Sequence, residues 1–250
     1  MGTTVGRLAC AADGDFRIAA PLERKAHASL GQDYGAILGR EPLGVRVADR
    51  LTVDADALID FSAPEAALER LAECSERKAA LVVGTTGLDK KALAQFEKAS
   101  KKIPILIASN MSLGMNLVFQ LVEEVARKLG TSYDIEIVET HHRNKVDAPS
   151  GSALTLGQAA ARGRGLDPDR ATVYGRRGAV GKRPEGEIAI HAVRGGDIVG
   201  EHVVSFISEG ETVEISHRAR SREIFARGAL HAARALSGRK PGLYTFKDLL

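Results

Sequence analysis

The chain has no tryptophan, 4% aromatic residues and two cysteines in 250 positions. Proteins that hold single-stranded nucleic acid stack bases on aromatic side chains, and this sequence has little to stack with. Charge of one sign is also missing: 35 basic and 32 acidic residues leave a formal net of +3. That balance gives no basic field of the kind that gathers nucleic acid. Cys10 and Cys74 are too few for a disulfide framework, and neither has metal-ligand spacing. They read as buried apolar thiols, which fits a reducing cytoplasm. No run approaches the roughly 20 apolar residues that span a bilayer. Met1 to Ala12 lacks the basic start and long apolar stretch of a signal peptide. The expectation is a cytoplasmic protein with neither a membrane nor a nucleic-acid partner.

Hydrophobic residues at 44% and charged residues at 27% give an ordinary globular balance. In the first half, short apolar runs alternate with amphipathic stretches. Phe16–Ala20, Leu58–Phe61, Ala80–Val83 and Ile103–Ala108 read as strands, with helices over Pro64–Lys78 and Lys90–Lys101. Such alternation predicts parallel βαβ units. Asn116–Leu129 carries Leu117, Leu121, Val125 and Leu129 at helical spacing. The texture then changes. Asp134–Glu139 alternates as a half-buried strand, Gly151–Arg162 reads as a helix, and Glu187–Val193, Asp197–Ile207 and Glu211–His217 read as strands. A helix over Arg222–Ser237 follows. The fold class expected is α/β, Rossmann-like, over residues 1–112, then an α+β region with a mostly antiparallel sheet over 113–222. Residues 223–250 return to the first domain.

Ligands of parallel sheets lie at the carboxyl ends of the strands. Three loops there invite attention. Glu23 and Arg24 follow the first predicted strand, where an acidic residue can hold a ribose and an Arg a 2′-phosphate; on these letters alone a solvated surface pair is the favoured reading. Gly84-Thr85-Thr86-Gly87 permits close backbone approach to a ligand, or simply starts a helix with a Thr cap. Ser109-Asn110-Met111-Ser112 could meet the same ligand, or form a capping turn.

The densest chemistry lies in Glu139-Thr140-His141-His142-Arg143-Asn144-Lys145-Val146-Asp147-Ala148-Pro149-Ser150-Gly151-Ser152-Ala153. Ser150 can cap the helix, and the N–H groups of Gly151 and Ser152 then offer an anion site suited to a carboxylate. Lys145 supplies charge and a proton, and His141 or His142 can titrate near neutrality. Adjacent histidines on an extended chain face opposite sides, so no metal site is expected.

This segment resembles the signature of the dihydrodipicolinate reductase family, Glu-x-His-His-x-x-Lys-x-Asp-x-Pro-Ser-Gly-Thr-Ala, with Ser152 in place of Thr. Leu22-Glu23-Arg24, Ile59–Ser62, Gly84–Gly87, Ser109–Ser112 and Arg194–Asp197 look like further family blocks in family order. The resemblance implies reduction of 4-hydroxy-tetrahydrodipicolinate with NADPH or NADH, in diaminopimelate and lysine synthesis. It implies His141 and Lys145 as proton donors, and His142, Ser150, Gly151 and Ser152 around the substrate carboxylates. Glu23, Arg24, Gly84, Thr85, Thr86 and Ala108, Ser109, Asn110 and Met111 would hold the cofactor. It also implies a homotetramer assembled through the second domain. The family opens with a strand and a Gly-x-x-Gly-x-x-Gly loop that this chain does not show. The expectation is a natural start roughly 15 residues upstream, at about 5–6 residues per strand plus its loop. Two alternatives share the plan: an inactive relative that serves as a binding partner, and another two-domain nicotinamide oxidoreductase.

Overall fold

The computed structural model describes residues 1–12 and 14–250. In chain order its elements are α1 (Gly2–Cys10), α2 (Tyr34–Ile37), β1 (Ala57–Asp60), α3 (Pro64–Arg77), β2 (Ala80–Val83), α4 (Lys90–Ser100), β3 (Pro104–Ile107), α5 (Leu113–Leu129), β4 (Asp134–His141), α6 (Gly151–Arg164), α7 (Pro168–Ala171), β5 (Thr172–Tyr174), β6 (Ile188–Arg194), β7 (Gly200–Ile207), β8 (Thr212–Ala219), α8 (Glu223–Leu236) and β9 (Gly242–Tyr244). They fall into two compact units, Met1–Ser112 with Glu223–Leu250, and Leu113–Arg222.

The first unit holds a parallel sheet of order β1-β2-β3-β9. Leu81, Val83 and Ile105 share a core with Leu71 and Cys74 of α3 and Phe96 of α4. Strand residues alternate faces, so Val82 and Leu106 turn the other way, and both are fully buried. Helix α8 packs on β1, β2 and β3 and carries α1. A strand covered on both faces reads as a continuous apolar run, as Ala80–Val83 does. Cys74 lies in this core, where burial pushes its thiol up to about 12; Cys10 is only half-buried, contrary to the expectation for both.

Phe16–Ala20 does not form a strand; its neighbourhood offers a single parallel bridge, Leu22 to Ala48. A strand exists only where a ladder satisfies its backbone, and this segment has no second strand to pair with among the described residues. Conversely, β9 was not anticipated. Three residues, Gly242–Tyr244, carry too little pattern to announce a strand, yet they pair with β3.

The second unit holds a sheet of order β5-β6-β4-β7-β8. It is mixed, not mostly antiparallel: β4 pairs β6, and β6 pairs β5, in parallel, while β4–β7 and β7–β8 run antiparallel. The Ser208–Gly210 turn makes one hairpin visible in sequence, whereas the parallel pairs depend on long crossovers that leave no local sign. Helices α5 and α6 cover one face, burying Ile135, Ile137, Ile188, Val204 and Phe206. Alanines of α6 let the helices approach closely. At Gly163 a Cβ would lie 2.3 Å from the Glu123 carbonyl of α5, so only glycine fits. Each large apolar side chain buried here contributes roughly 1.5–3 kcal/mol. This packing fixes where α6 begins, and its first turn belongs to the site.

Candidate active site

Strand β4 buries every second residue, so Glu139 and His141 project to the same face as Ile135 and Ile137. Beyond His141 the chain turns. The His142 N–H donates to the Ile198 carbonyl at 2.8 Å, and the Lys145 N–H to the His142 carbonyl at 3.1 Å. The segment then enters α6 at Ser150, whose Oγ accepts the Ala153 N–H at 3.1 Å as an N-cap.

Glu139 is fully buried. A charged carboxylate there is tolerable only if paired and hydrogen-bonded, and it is. Arg194 donates from Nη1 to Oε2 and from Nη2 to Oε1, each at 2.8 Å. His141 Nδ1 lies 2.6 Å from Oε2, and the Ser150 N–H donates to Oε1 at 2.9 Å. Arg194 reaches this place because β6 runs parallel to β4, setting it beside His141. Burial pushes the Glu139 carboxyl up, but the bonds from Arg194, His141 and Ser150 outweigh it and hold the group below its ordinary value. His141 also sits below its ordinary value. Burial drives it down, Glu139 pulls it up, and the charges of Lys145 and Arg194 push it down again.

His202 of β7 stands across from Glu139 in the ladder. Its Nε2 is 3.1 Å from Ser150 Oγ, and its ring meets that of His141 edge-on, centroids 5.3 Å apart. Burial takes this imidazole down to about 4. Lys145 donates to both Asp147 oxygens, at 2.8 and 2.9 Å. His142 is half-buried, Gly151 exposed and Ser152 half-buried. The unit therefore brings His141, Ser150 and the start of α6 around one buried carboxylate, with Lys145 near enough for its charge to act on His141. The Ser150 hydroxyl is engaged by Ala153 and His202, so what it offers a ligand is the orientation of the first turn.

In the first unit the loops that follow β2 and β3 carry most of the other candidates, whereas Glu23 and Arg24 lie on a segment that follows no strand among the described residues. Gly84 follows β2, and a Cβ there would lie 2.3 Å from the Phe61 ring. The Thr85 hydroxyl is consumed internally: it donates to Asp60 Oδ2 at 2.5 Å and accepts the Ser62 N–H at 3.0 Å. Thr86 and Ser109 are exposed, and the Asn110 side chain accepts the Ser112 N–H at 2.9 Å. Met111 is buried. Its carbonyl lies so close to Gly228 of α8 that a Cβ there would come within 1.6 Å. Glu23 and Arg24 are exposed, and Glu23 accepts the Arg24 N–H at 3.0 Å. Loops at the carboxyl ends of adjacent parallel strands suit a dinucleotide, so the residues after β2 and β3 fit such a group through backbone and exposed hydroxyls.

Three residues of the site were not singled out from sequence: Glu139, Arg194 and His202. Each had a signal. Glu139 lies two positions before His141 on an alternating strand. Arg194 opens a noted block. His202 holds a polar place in the buried series Gly200, His202, Val204, Phe206.

A Rossmann-like unit joined to a mixed-sheet unit that buries a Glu–His–Arg cluster at a helix N-terminus defines a class, the two-domain reductases. The chain belongs to the dihydrodipicolinate reductase family. The N-terminal part of that family matches residues 1–111 and its C-terminal part residues 114–250. The 4-hydroxy-tetrahydrodipicolinate reductase of Anaeromyxobacter dehalogenans is 47% identical across 100% of this chain and 93% of its own length. That of Geobacter metallireducens is 44% identical over 97% of this chain and 92% of its own. Among solved structures, a dipicolinate-bound dihydrodipicolinate reductase from Paenisporosarcina sp. TG-14 shares the fold, with a TM-score of 0.75 at 22% identity. That match covers 99% of this chain and 96% of that one.

Proposed function

We propose that this chain reduces 4-hydroxy-tetrahydrodipicolinate to tetrahydrodipicolinate with NADPH or NADH, in diaminopimelate and lysine synthesis in the cytoplasm. The observation that carries the reading is the cluster of His141 and the α6 terminus around Glu139, with Lys145 acting on His141, in a chain 47% identical along its whole length to a reductase of that name. The ring hydroxyl departs as water, and bound nicotinamide would supply a hydride to a carbon of the unsaturated dicarboxylate ring that remains. The protein supplies charge, orientation and the proton that reaches the adjacent carbon. His141 and Lys145 give that proton. His142, Lys145 and the N–H groups of Gly151 and Ser152 hold the carboxylates, with Ser150 setting the helix turn that presents them. A dianion arriving here raises the affinity of His141 for a proton, which offsets the depression seen in the free site.

Glu23 and Arg24 hold the adenosine ribose and, with NADPH, its 2′-phosphate. Gly84, Thr85 and Thr86 with Ala108, Ser109, Asn110 and Met111 line the rest of the cofactor, Thr85 through its backbone. A homotetramer formed through the five-stranded sheet is part of the same reading. The test is oxidation of NADPH by the purified chain given freshly generated substrate. Turnover is the expected result. Cofactor binding without turnover of this substrate would replace the reading with that of an inactive relative.

A further inference from the structure

The proposed roles account for His141, Lys145 and the start of α6, but not for the buried group that ties His141 to that helix. Each oxygen of Glu139 carries two donors: Arg194 and His141 on Oε2, Arg194 and Ser150 on Oε1. We infer that Glu139 is a positioning residue that couples the proton donor to the anion-binding helix turn, holding His141 with Nδ1–H inward and Nε2 as the reacting end. The inference rests on the proposed reaction.

An ionised carboxylate can only accept. The nitrogen facing it at 2.6 Å must therefore bear a hydrogen, which leaves Nε2 to take up and release the transferable proton. The other side of the ring is kept clear by Gly200, where a Cβ would stand 2.9 Å from Nε2. A merely structural ion pair needs only Arg194, and such pairs are often replaceable by apolar residues. Glu139 has in addition one oxygen on the His141 ring and one on the α6 backbone. His202 closes the circuit from the far side, touching Ser150 through Nε2 and His141 through its ring edge. The charged and titratable groups acting on His141 are thus Glu139 on its own strand, Lys145 on the following loop, Arg194 on β6 and His202 on β7, with His217 of β8 acting on His202.

The first measurement is made on the wild-type chain without substrate: nitrogen-15 NMR of the histidines. His141 is expected as the Nδ1–H tautomer above its titration point, and an Nε2–H tautomer overturns the inference. The second is Glu139→Gln. An amide accepts at one end only, so in either orientation Arg194 meets an opposing donor, together with Ser150 in one and with His141 in the other. The kcat is expected to fall about 100-fold, the lower end of what a positioned acid supplies, with cofactor affinity unchanged. The descending, alkaline limb of kcat/KM is expected at lower pH, because the carboxylate no longer raises His141. A Glu139→Gln enzyme with wild-type kcat and pH profile also overturns the inference. If that variant does not fold, the wild-type tautomer decides alone. A wild-type chain that does not turn over the substrate removes the reaction, while the NMR still decides whether Glu139 sets the ring.

Discussion

The two units treat their polar residues differently. In the second, the candidate chemistry is locked before any ligand arrives: a fully buried carboxylate, a capped helix turn and two histidines hold one another at hydrogen-bond distance. In the first, Glu23, Arg24, Thr86 and Ser109 are exposed, and the buried hydroxyl of Thr85 is spent on Asp60. Proton transfer depends on sub-ångström placement and gains from preorganisation. Dinucleotide binding spreads over many weak contacts. So substitutions in the second unit should act on rate, and those in the first on affinity and cofactor choice.

The largest effect expected is that of His141→Gln. Loss of a positioned general acid costs about 10²–10⁴-fold in kcat, and cofactor dissociation constants should stay within about twofold. Steady-state kinetics beside fluorescence titration with NADPH decides it. An unchanged kcat would pass the proton to Lys145 alone and end the contrast between rate and affinity.

Acid should find the second unit first. His202 titrates at about 4 in the folded chain but near 6.5 when unfolded. Between those values the unfolded chain binds the extra proton, so stability falls as pH drops from 6.5 towards 4 and is level above 6.5. The shift corresponds to roughly 3 kcal/mol. Glu136 adds to this at lower pH. Burial pushes it up, but hydrogen bonds from Arg176, His191 and Arg183 hold it at about 2, so its contribution disappears below its ordinary value near 4.5. Denaturant melts across this range should flatten in His202→Gln, and hydrogen exchange at pH 5 should speed in β4 and β7 before β2. Equal loosening of both sheets would break the comparison.

Gly228→Ala probes the first unit. The new Cβ would sit 1.6 Å from the Met111 carbonyl, a backbone atom that cannot swing aside. Forcing the loop away from α8 should cost about 1–3 kcal/mol and weaken cofactor binding, with kcat at saturating cofactor largely kept. A fall in kcat matching that of His141→Gln would show that the loop acts on chemistry as well as affinity.

Much of this was legible in the letters. The parallel core announced itself because strands buried on both faces are continuous apolar runs, as in Ala80–Val83. The α6 terminus was legible because Ser150 and Gly151 carry cap chemistry. What stayed hidden depended on pairing across long sequence distance. The Phe16–Ala20 run looked like a strand but has no ladder, and Gly242–Tyr244 looked like nothing until β3 paired with it. Arg194 becomes a site residue only because β6 lies parallel to β4, which no local pattern states. Thr85 shows the converse: its residue type suited a ligand, and Asp60 took the hydroxyl instead.

The smallest effect expected is at Arg24, and it is also the most selective. Its side chain is exposed in the free chain, so binding a phosphate must first order a long, flexible side chain, which offsets part of a charge-assisted bond of about 1.5–3 kcal/mol. Arg24→Ala should therefore weaken NADPH by on the order of tenfold, about 1.4 kcal/mol, and leave NADH within about twofold. Calorimetric titration of both cofactors against both proteins measures the difference directly. Equal loss for the two would remove the 2′-phosphate from Arg24 and shift cofactor choice to the backbone loops. A loss confined to NADPH would mean that one exposed side chain sets preference in a unit otherwise built to hold a cofactor without choosing it.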